Sequence, residues 1–178
     1  MNGIIIYGSQ YGTARAYAEK LSERTNIQAT AFTEVGDIAG YDTVVYIGGL
    51  YAGGVMGMSK TLKRLGDISG RKIIIATVGL ADPKDGENVG NIREGIKRQL
   101  PPEIYEAAVI FHLRGGIDYS KLGLKHKTMM GLLYQKAKNL PEDKKTAEVR
   151  AMIDTYNSKV DFTDFACLEG IIGEINKE

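Results

Sequence analysis

The sequence predicts an α/β fold in which helices cover both faces of a parallel, doubly wound β-sheet. Five short runs rich in isoleucine and valine rarely alternate with polar residues, which is typical of strands buried on both faces. These runs lie at 3–8, 27–33, 43–49, 72–78 and 107–113. Segments with apolar residues at helical spacing lie between them, at 13–24, 58–65 and 87–100. Right-handed crossovers would carry these helices to both faces of the sheet.

The last third of the chain breaks this alternation. Residues 114–157 contain nine Lys/Arg and five Asp/Glu, so this segment has a net charge of about +4, whereas the rest has about −3. Because a structureless loop of this length is unusual in a compact domain, we expect a helix inside it, at 128–138. A short strand at 159–162 and a closing helix at 163–175, with Asp164 in its first turn, complete the prediction.

Length and composition limit the classes of protein to consider. A chain of 178 residues is expected to form a single domain, 1–178, and a formal net charge of +1 gives no reason to expect nucleic acid. One cysteine, Cys167, excludes an internal disulfide and a cysteine-ligated zinc or iron–sulfur site within one chain, and its apolar neighbours predict a buried helix face. With no charged leader before an apolar stretch and no run of about 20 apolar residues, we expect a cytoplasmic protein.

The loop after the first strand has the composition of an anion site. The strand ends at Gly8, and a polar loop leads into the first helix: Ser9, Gln10, Tyr11, Gly12, Thr13 and Ala14. A helix N-terminus presents unpaired N–H groups, Ser9 and Thr13 add hydroxyls, and Gly12 permits close backbone approach, so the loop could hold a phosphate. The alternative is an ordinary tight turn with Thr13 capping the helix. Arg15 either assists binding or points to solvent. The loop matches neither the Walker pattern nor Gly-x-Gly-x-x-Gly.

Two further loops are expected beside the first, at the carboxyl ends of the third and fourth strands, where such folds bind ligands. The third strand runs into a glycine-rich stretch, 48–57, which indicates unusual dihedral angles or a backbone that approaches a flat ligand. The fourth ends at Val78, Gly79 and Leu80. After it, the segment 82–86 is a good turn sequence, which we favour over a ligand role for Asp82.

On these residues the chain resembles the flavodoxin family, whose Ser/Thr-x-Thr-Gly-x-Thr loop holds the phosphate of FMN. The first loop matches at Ser9 and Gly12 and departs at Tyr11 and Ala14, where threonine is usual. The resemblance implies a five-stranded sheet in the order 2-1-3-4-5, one non-covalently bound FMN, and Tyr51 against the flavin ring. It implies these cofactor-binding residues: Ser9, Gln10, Tyr11, Gly12, Thr13, Ala14, Gly49, Leu50, Tyr51, Ala52, Gly53, Val78, Gly79 and Leu80.

The basic segment resembles the insertion that splits the fifth strand of long-chain flavodoxins, here at about 114–158. The run 108–119, the apolar and basic helix after it, and the run 160–165 look most like flavodoxin-like protoporphyrinogen dehydrogenases. The stretch Lys121–Lys138 could lie on an anionic membrane, bind an acidic partner or substrate, or pack its apolar face on the domain. His112 and His126 could act as acid–base groups, but a lone histidine is more often structural or solvated than catalytic.

Three functions remain open from the sequence. The first is an electron carrier whose FMN serves redox partner proteins. The second is an FMN-dependent oxidoreductase with a small-molecule substrate, linked to a quinone and peripheral at the inner face of the membrane. The third is a non-redox binding module. No paired carboxylates or nucleophile–histidine pattern is evident, which suits chemistry carried by a cofactor.

Overall fold

The computed structural model describes residues 2–51 and 54–177. Its main sheet contains the parallel strands β1 (Gly3–Gly8), β2 (Ala29–Ala31), β3 (Thr43–Tyr51), β5 (Lys72–Gly79) and β6 (Ala108–Arg114). A short strand, β4 (Gly54–Val55), pairs antiparallel with the end of β3. The parallel strands lie in the order β2-β1-β3-β5-β6. The predicted order of five parallel strands is therefore confirmed.

The sheet is covered on both faces, as the buried strands predict. On one face Ile5, Val45 and Ile74 pack with helices α1 (Thr13–Thr25) and α7 (Leu168–Asn176). On the other face the neighbouring strand residues pack with α2 (Met58–Leu62), α3 (Gly86–Gln99) and α4 (Pro102–Ala107). Because successive side chains of a strand point to opposite faces, each central strand contributes to both cores.

Local signals explain where the helices begin. The side chain of Asp85 caps α3 by accepting the N–H of Asn88 at 2.9 Å, and the Asp85 N–H donates to the Asp82 carbonyl at 3.1 Å. The predicted turn at 82–86 is thus present. Helix α4 has a proline in its first turn, which suits a residue without an N–H, but its six residues are too few for periodicity to reveal.

The chain leaves the main sheet after Arg114. It forms β7 (Gly116–Asp118), α5 (Leu124–Lys138), α6 (Ala147–Asp154) and β8 (Lys159–Asp161). Strands β7 and β8 pair antiparallel in a sheet of their own, so the segments that flank the insertion bind each other and do not extend the parallel sheet. The predicted helix at 128–138 is present but begins at Leu124, and α6 is an addition to the prediction.

The predicted burial of Cys167 is wrong. Asp164 accepts the N–H of Ala166 and caps a 3-10 turn, Phe165–Cys167, so that α7 begins only at Leu168. The different helix phase turns the thiol outward, and Cys167 is exposed. Among the described residues no helix is long and apolar enough to cross a membrane.

Candidate functional site

The loops after β1, β3 and β5 meet at the carboxyl edge of the sheet. The Met56 N–H donates to the Gly49 carbonyl at 3.0 Å, and a Cβ on Gly8 would collide with the Met56 carbonyl. On the other side the Gly115 N–H donates to the Gly79 carbonyl at 2.7 Å. Strands β1 and β3 are neighbours from which the chain proceeds in opposite directions across the sheet. The three loops therefore surround the switch point, the usual ligand site of this architecture.

The first loop forms an anion cradle at the start of α1. Gly12 precedes the helix with a φ of +94°. The Gly12 carbonyl accepts the first helical bond, from the Ala16 N–H at 2.9 Å. Within the described residues, the three N–H groups ahead of Ala16 have no acceptor: Thr13, Ala14 and Arg15. Ser9 Oγ accepts the Gly12 N–H at 3.1 Å, which leaves the Ser9 O–H free to donate.

Other side chains of this loop serve the protein itself. The Thr13 hydroxyl donates to the Gly116 carbonyl at 3.2 Å and accepts the Gly116 N–H at 3.3 Å, so it ties α1 to β7. Two alternatives raised by the sequence are thereby corrected, because Thr13 neither caps the helix nor offers a free hydroxyl. Ala14 lies in the first turn of α1 and is buried in the core, whereas Arg15 pairs with Glu19 at 2.6 Å toward solvent.

Gln10 and Tyr11 face the insertion. Gln10 Nε2 lies 2.9 Å from His126 Nε2. The Tyr11 ring packs edge-on to His126, with ring centroids 6.4 Å apart, and its hydroxyl is buried without a hydrogen-bond partner in the described residues. Burial, together with the nearby Tyr51, raises the pKa of the Tyr11 hydroxyl. Neither side chain points its polar group at the anion cradle.

The end of β3 forms a hairpin with β4. Gly49 has room for a Cβ, since its nearest neighbour, the Gly8 carbonyl oxygen, is 3.6 Å away. Leu50 pairs with Val55, and the Tyr51 hydroxyl donates to the sulfur of Met129 at 3.2 Å. Ala52 and Gly53, also predicted to bind the cofactor, lie outside the described residues.

The end of β5 presents backbone donors toward the same space. Val78 itself is a core residue, 6% exposed. Glu148, on α6, accepts the Leu80 N–H at 2.9 Å and the Ala81 N–H at 3.0 Å through its two carboxylate oxygens. Arg114 Nε donates to the Leu80 carbonyl at 3.0 Å, and its guanidinium carbon lies 3.7 Å from the centroid of the Phe162 ring. Arg114 therefore fixes the orientation of this loop.

An aromatic and methionine cluster of the insertion covers the switch point. Its buried members are Ile117, Tyr119 and Met130. The Tyr156 ring lies edge-on to Tyr119 and stacks on Tyr134, with centroids 5.4 and 4.0 Å apart. Burial raises the pKa of Tyr119 to about 12, and its hydroxyl has no partner in the described residues. Tyr11, Leu80 and Met129 pack against this cluster.

The sequence model of the flavodoxin domain family matches residues 4–144. The chain belongs to this family. The match covers the three site loops and most of the insertion. No curated protein matches the chain. The predicted closeness to protoporphyrinogen dehydrogenases therefore stays a prediction.

Three solved structures illustrate the flavodoxin-like fold. A flavoprotein in complex with FMN from Lactobacillus acidophilus NCFM is 10% identical over 64% of this chain and 91% of its own, with a TM-score of 0.42. A mutant flavodoxin from Pseudomonas aeruginosa is 16% identical over 78% and 97%, with a TM-score of 0.39. A flavodoxin from the domain Archaea is 13% identical over 86% and 95%, with a TM-score of 0.41. The assignment rests on the family match.

The site of this flavodoxin domain fits FMN chemically. The cradle at the start of α1 has free N–H donors and the positive end of the helix dipole, which suit the phosphate. The N–H groups of Leu80 and Ala81 suit the carbonyl oxygens on the polar edge of a flavin ring, although Glu148 accepts from both here. The family match supports FMN as the cofactor, as the resemblance implies.

Sequence reasoning missed Glu148 and Arg114 as residues of this site. The sequence does contain a helix-start signal near Glu148. The hydroxyl of Thr146 accepts the Val149 N–H at 3.3 Å and so caps α6, the helix that carries Glu148. Arg114 was noted only as the start of the basic segment. Neither partner on the β5 loop could be foreseen, because both contacts are to backbone atoms far away in the sequence.

Proposed function

We propose that this flavodoxin domain binds one FMN non-covalently and transfers electrons through it between redox partners. The observation that carries the proposal is the anion cradle at the switch point, in which three N–H groups have no acceptor, and the Ser9 hydroxyl donates to no atom, among the described residues. The approach to Gly12 is open, because apart from its chain neighbours no atom of the described residues lies within 4 Å of a Cβ built on it.

Different parts of the site would contact the two ends of FMN. The start of α1 would hold the phosphate through backbone N–H groups and the helix dipole. The ring would lie between the β3 loop with Tyr51 and the β5 loop with Leu80 and Ala81. Bound FMN would supply reversible electron transfer, whose potential the neighbouring hydrogen bonds and charges would tune.

Titration of the apoprotein with FMN and with riboflavin, which lacks the phosphate, tests this proposal. If the cradle holds the phosphate, the fluorescence of FMN will be quenched as it binds the apoprotein, with a Kd of about 1 µM or lower. Riboflavin should bind at least about 100-fold more weakly, since the charge-assisted bonds to the phosphate are lost. Equal affinities would contradict the cradle, and no binding of either would favour the non-redox binding module.

A second candidate is an FMN-dependent oxidoreductase that meets a quinone at the inner face of a membrane. The exposed apolar and basic side chains of α5 and of the turn before it favour it. Leu124, Leu132 and Leu133 are 83, 70 and 40% exposed. Exposed lysines surround them, none of them ion-paired within the described residues: Lys121, Lys125, Lys127, Lys136 and Lys138. Exposed leucines among lysines are typical of a helix that lies on an anionic lipid surface.

Co-sedimentation with phosphatidylglycerol vesicles tests the second candidate. We expect wild-type protein to bind these vesicles and not phosphatidylcholine vesicles. The double variant K125E/K127E should bind at least about tenfold more weakly, because each lysine near the surface contributes about 1 kcal/mol. The double variant K60E/K63E, which makes the same charge change at exposed lysines near α2, should bind like wild type. If both double variants lose vesicle binding equally, or if wild-type protein does not bind the vesicles, the electron carrier remains the better-supported function.

A further inference from the structure

The insertion closes over the crevice between the β3 and β5 loops. Three contacts hold it there, one from each site loop. Gln10 contacts His126 and Tyr51 contacts Met129, both on α5. The third contact joins the β5 loop to Glu148 on α6. The crevice where the flavin ring is expected is therefore covered by the chain itself.

Glu148 makes the strongest of these contacts. A carboxylate that accepts two backbone N–H groups, at 2.9 and 3.0 Å, forms charge-assisted bonds that are shorter and stronger than neutral ones. Thr146 caps the start of α6, two residues before Glu148, and so places Glu148 in the first turn of the helix. The carboxylate is thus positioned by a helix start and held by both donors of the loop.

Leu50 and Glu148 also fill the space beside Gly79. A Cβ on Gly79 would lie 2.8 Å from Leu50 Cδ1 and 3.0 and 3.3 Å from the two carboxylate oxygens. The two site loops and α6 therefore meet in close contact. Leu50 and Glu148 thus occupy the space beside Gly79, where the β5 loop approaches the end of β3.

We propose that Glu148 is an internal competitor of FMN, which holds the insertion against the β5 loop and is displaced when the ring binds. The proposal rests on the proposed function. The carbonyl oxygens of the flavin pyrimidine are hydrogen-bond acceptors, as the carboxylate oxygens are, and both need the N–H groups of Leu80 and Ala81. Because these donors cannot serve both acceptors, ring binding requires α6 to move away from the β5 loop.

The kinetics of FMN binding to three apoproteins test this competition: wild type, Glu148→Ala and the control Glu142→Ala. Stopped-flow fluorescence gives the association rate constant and the Kd. Removal of the competitor should raise the association rate constant about tenfold or more and lower the Kd. Glu142 lies on the same insertion, its side chain is 77% exposed, and within the described part of the chain it forms an ion pair with Lys145 alone, so its loss should leave both constants unchanged. Wild-type constants for Glu148→Ala would overturn the proposal, and so would weaker binding.

Amide hydrogen exchange of the wild-type protein tests the same motion without a substitution. On addition of FMN, exchange should slow at residues 9–16 and accelerate across α6. Slower or unchanged exchange in α6 would overturn the competition. The failure of the proposed function would look different, since no protein would bind FMN and exchange would change nowhere. If all three apoproteins bind FMN with equal constants, only the role of Glu148 fails.

Discussion

At the scale of single residues, the site depends on backbone groups more than on the side chains that the sequence emphasises. The loop pattern predicts a phosphate site, and among the described residues the first N–H groups of α1 have no acceptor. The roles of Thr13 and Tyr11 could not be predicted, because their partners belong to the insertion. A residue type indicates what a side chain can do, whereas its partner depends on distant parts of the fold.

Gly12 gives the first prediction at this scale. A carboxylate at this position would face the bound phosphate, so Gly12→Asp should abolish FMN binding while the fold survives. Gly12→Asn is the matched control, because asparagine has the same shape, carries no charge and tolerates the positive φ of +94°. We expect FMN to bind the asparagine variant no more than about tenfold more weakly than wild type, by fluorescence titration. Equal binding by both variants would place the phosphate elsewhere.

His112 gives a prediction for the pH dependence of stability. Its ring is largely buried, Nδ1 lies 2.8 Å from the Thr77 hydroxyl, and burial together with the charge of Arg93 lowers its pKa to about 4. The imidazole of the unfolded chain takes up this proton near pH 6.5, whereas that of the folded chain does so only near pH 4. Acidification between these two pH values therefore favours unfolding. The ring is partly exposed, which reduces the effect to roughly 1–2 kcal/mol by pH 4.

Urea unfolding of the apoprotein and of His112→Gln checks this prediction. Glutamine can still bond to Thr77 but does not titrate, so the stability advantage of wild type should shrink between pH 6.5 and 4. Above pH 7 the difference between the two proteins should be constant. A difference that does not vary with pH would contradict the lowered pKa.

At the scale of elements, the strands were predictable and the short helices were not. Runs of isoleucine and valine located the central strands β1, β3 and β5 because both of their faces are buried, whereas the edge strand β2 is only half-buried. Helices α4 and α6 have six and eight residues, too few turns for a periodic pattern to stand out. The error at Cys167 has a similar origin, because Asp164 starts a 3-10 turn before the helix and shifts its phase.

The contact between β1 and the loop after β4 gives a prediction at this scale. A Cβ on Gly8 would collide with the Met56 carbonyl, which accepts the buried Tyr46 hydroxyl at 2.6 Å. Gly8→Ala should therefore lower the free energy of unfolding by about 2 kcal/mol or more. Gly49→Ala, with its nearest neighbour at 3.6 Å, should change it by less than about 1 kcal/mol. Similar losses in urea unfolding would mean that these loops do not meet as described.

At the scale of the whole molecule, the parallel sheet brings the three site loops together and the insertion contacts all three of them. Alternation of strands and helices was enough to predict the sheet order and the edge at which the three loops meet. The net positive charge of the insertion identifies it in the sequence, but its position over the switch point depends on contacts such as the one between Gln10 and His126. Pairs that are more than 100 residues apart leave no local pattern in a single sequence.

The visible absorption spectrum of the purified protein, recorded after incubation with FMN and gel filtration, tests whether this chain binds FMN. Heat release and chromatography then identify and count the flavin. We expect flavin bands and about one FMN per chain, with no covalent flavin left on the precipitated protein. A colourless protein after this incubation would show that the chain does not bind FMN.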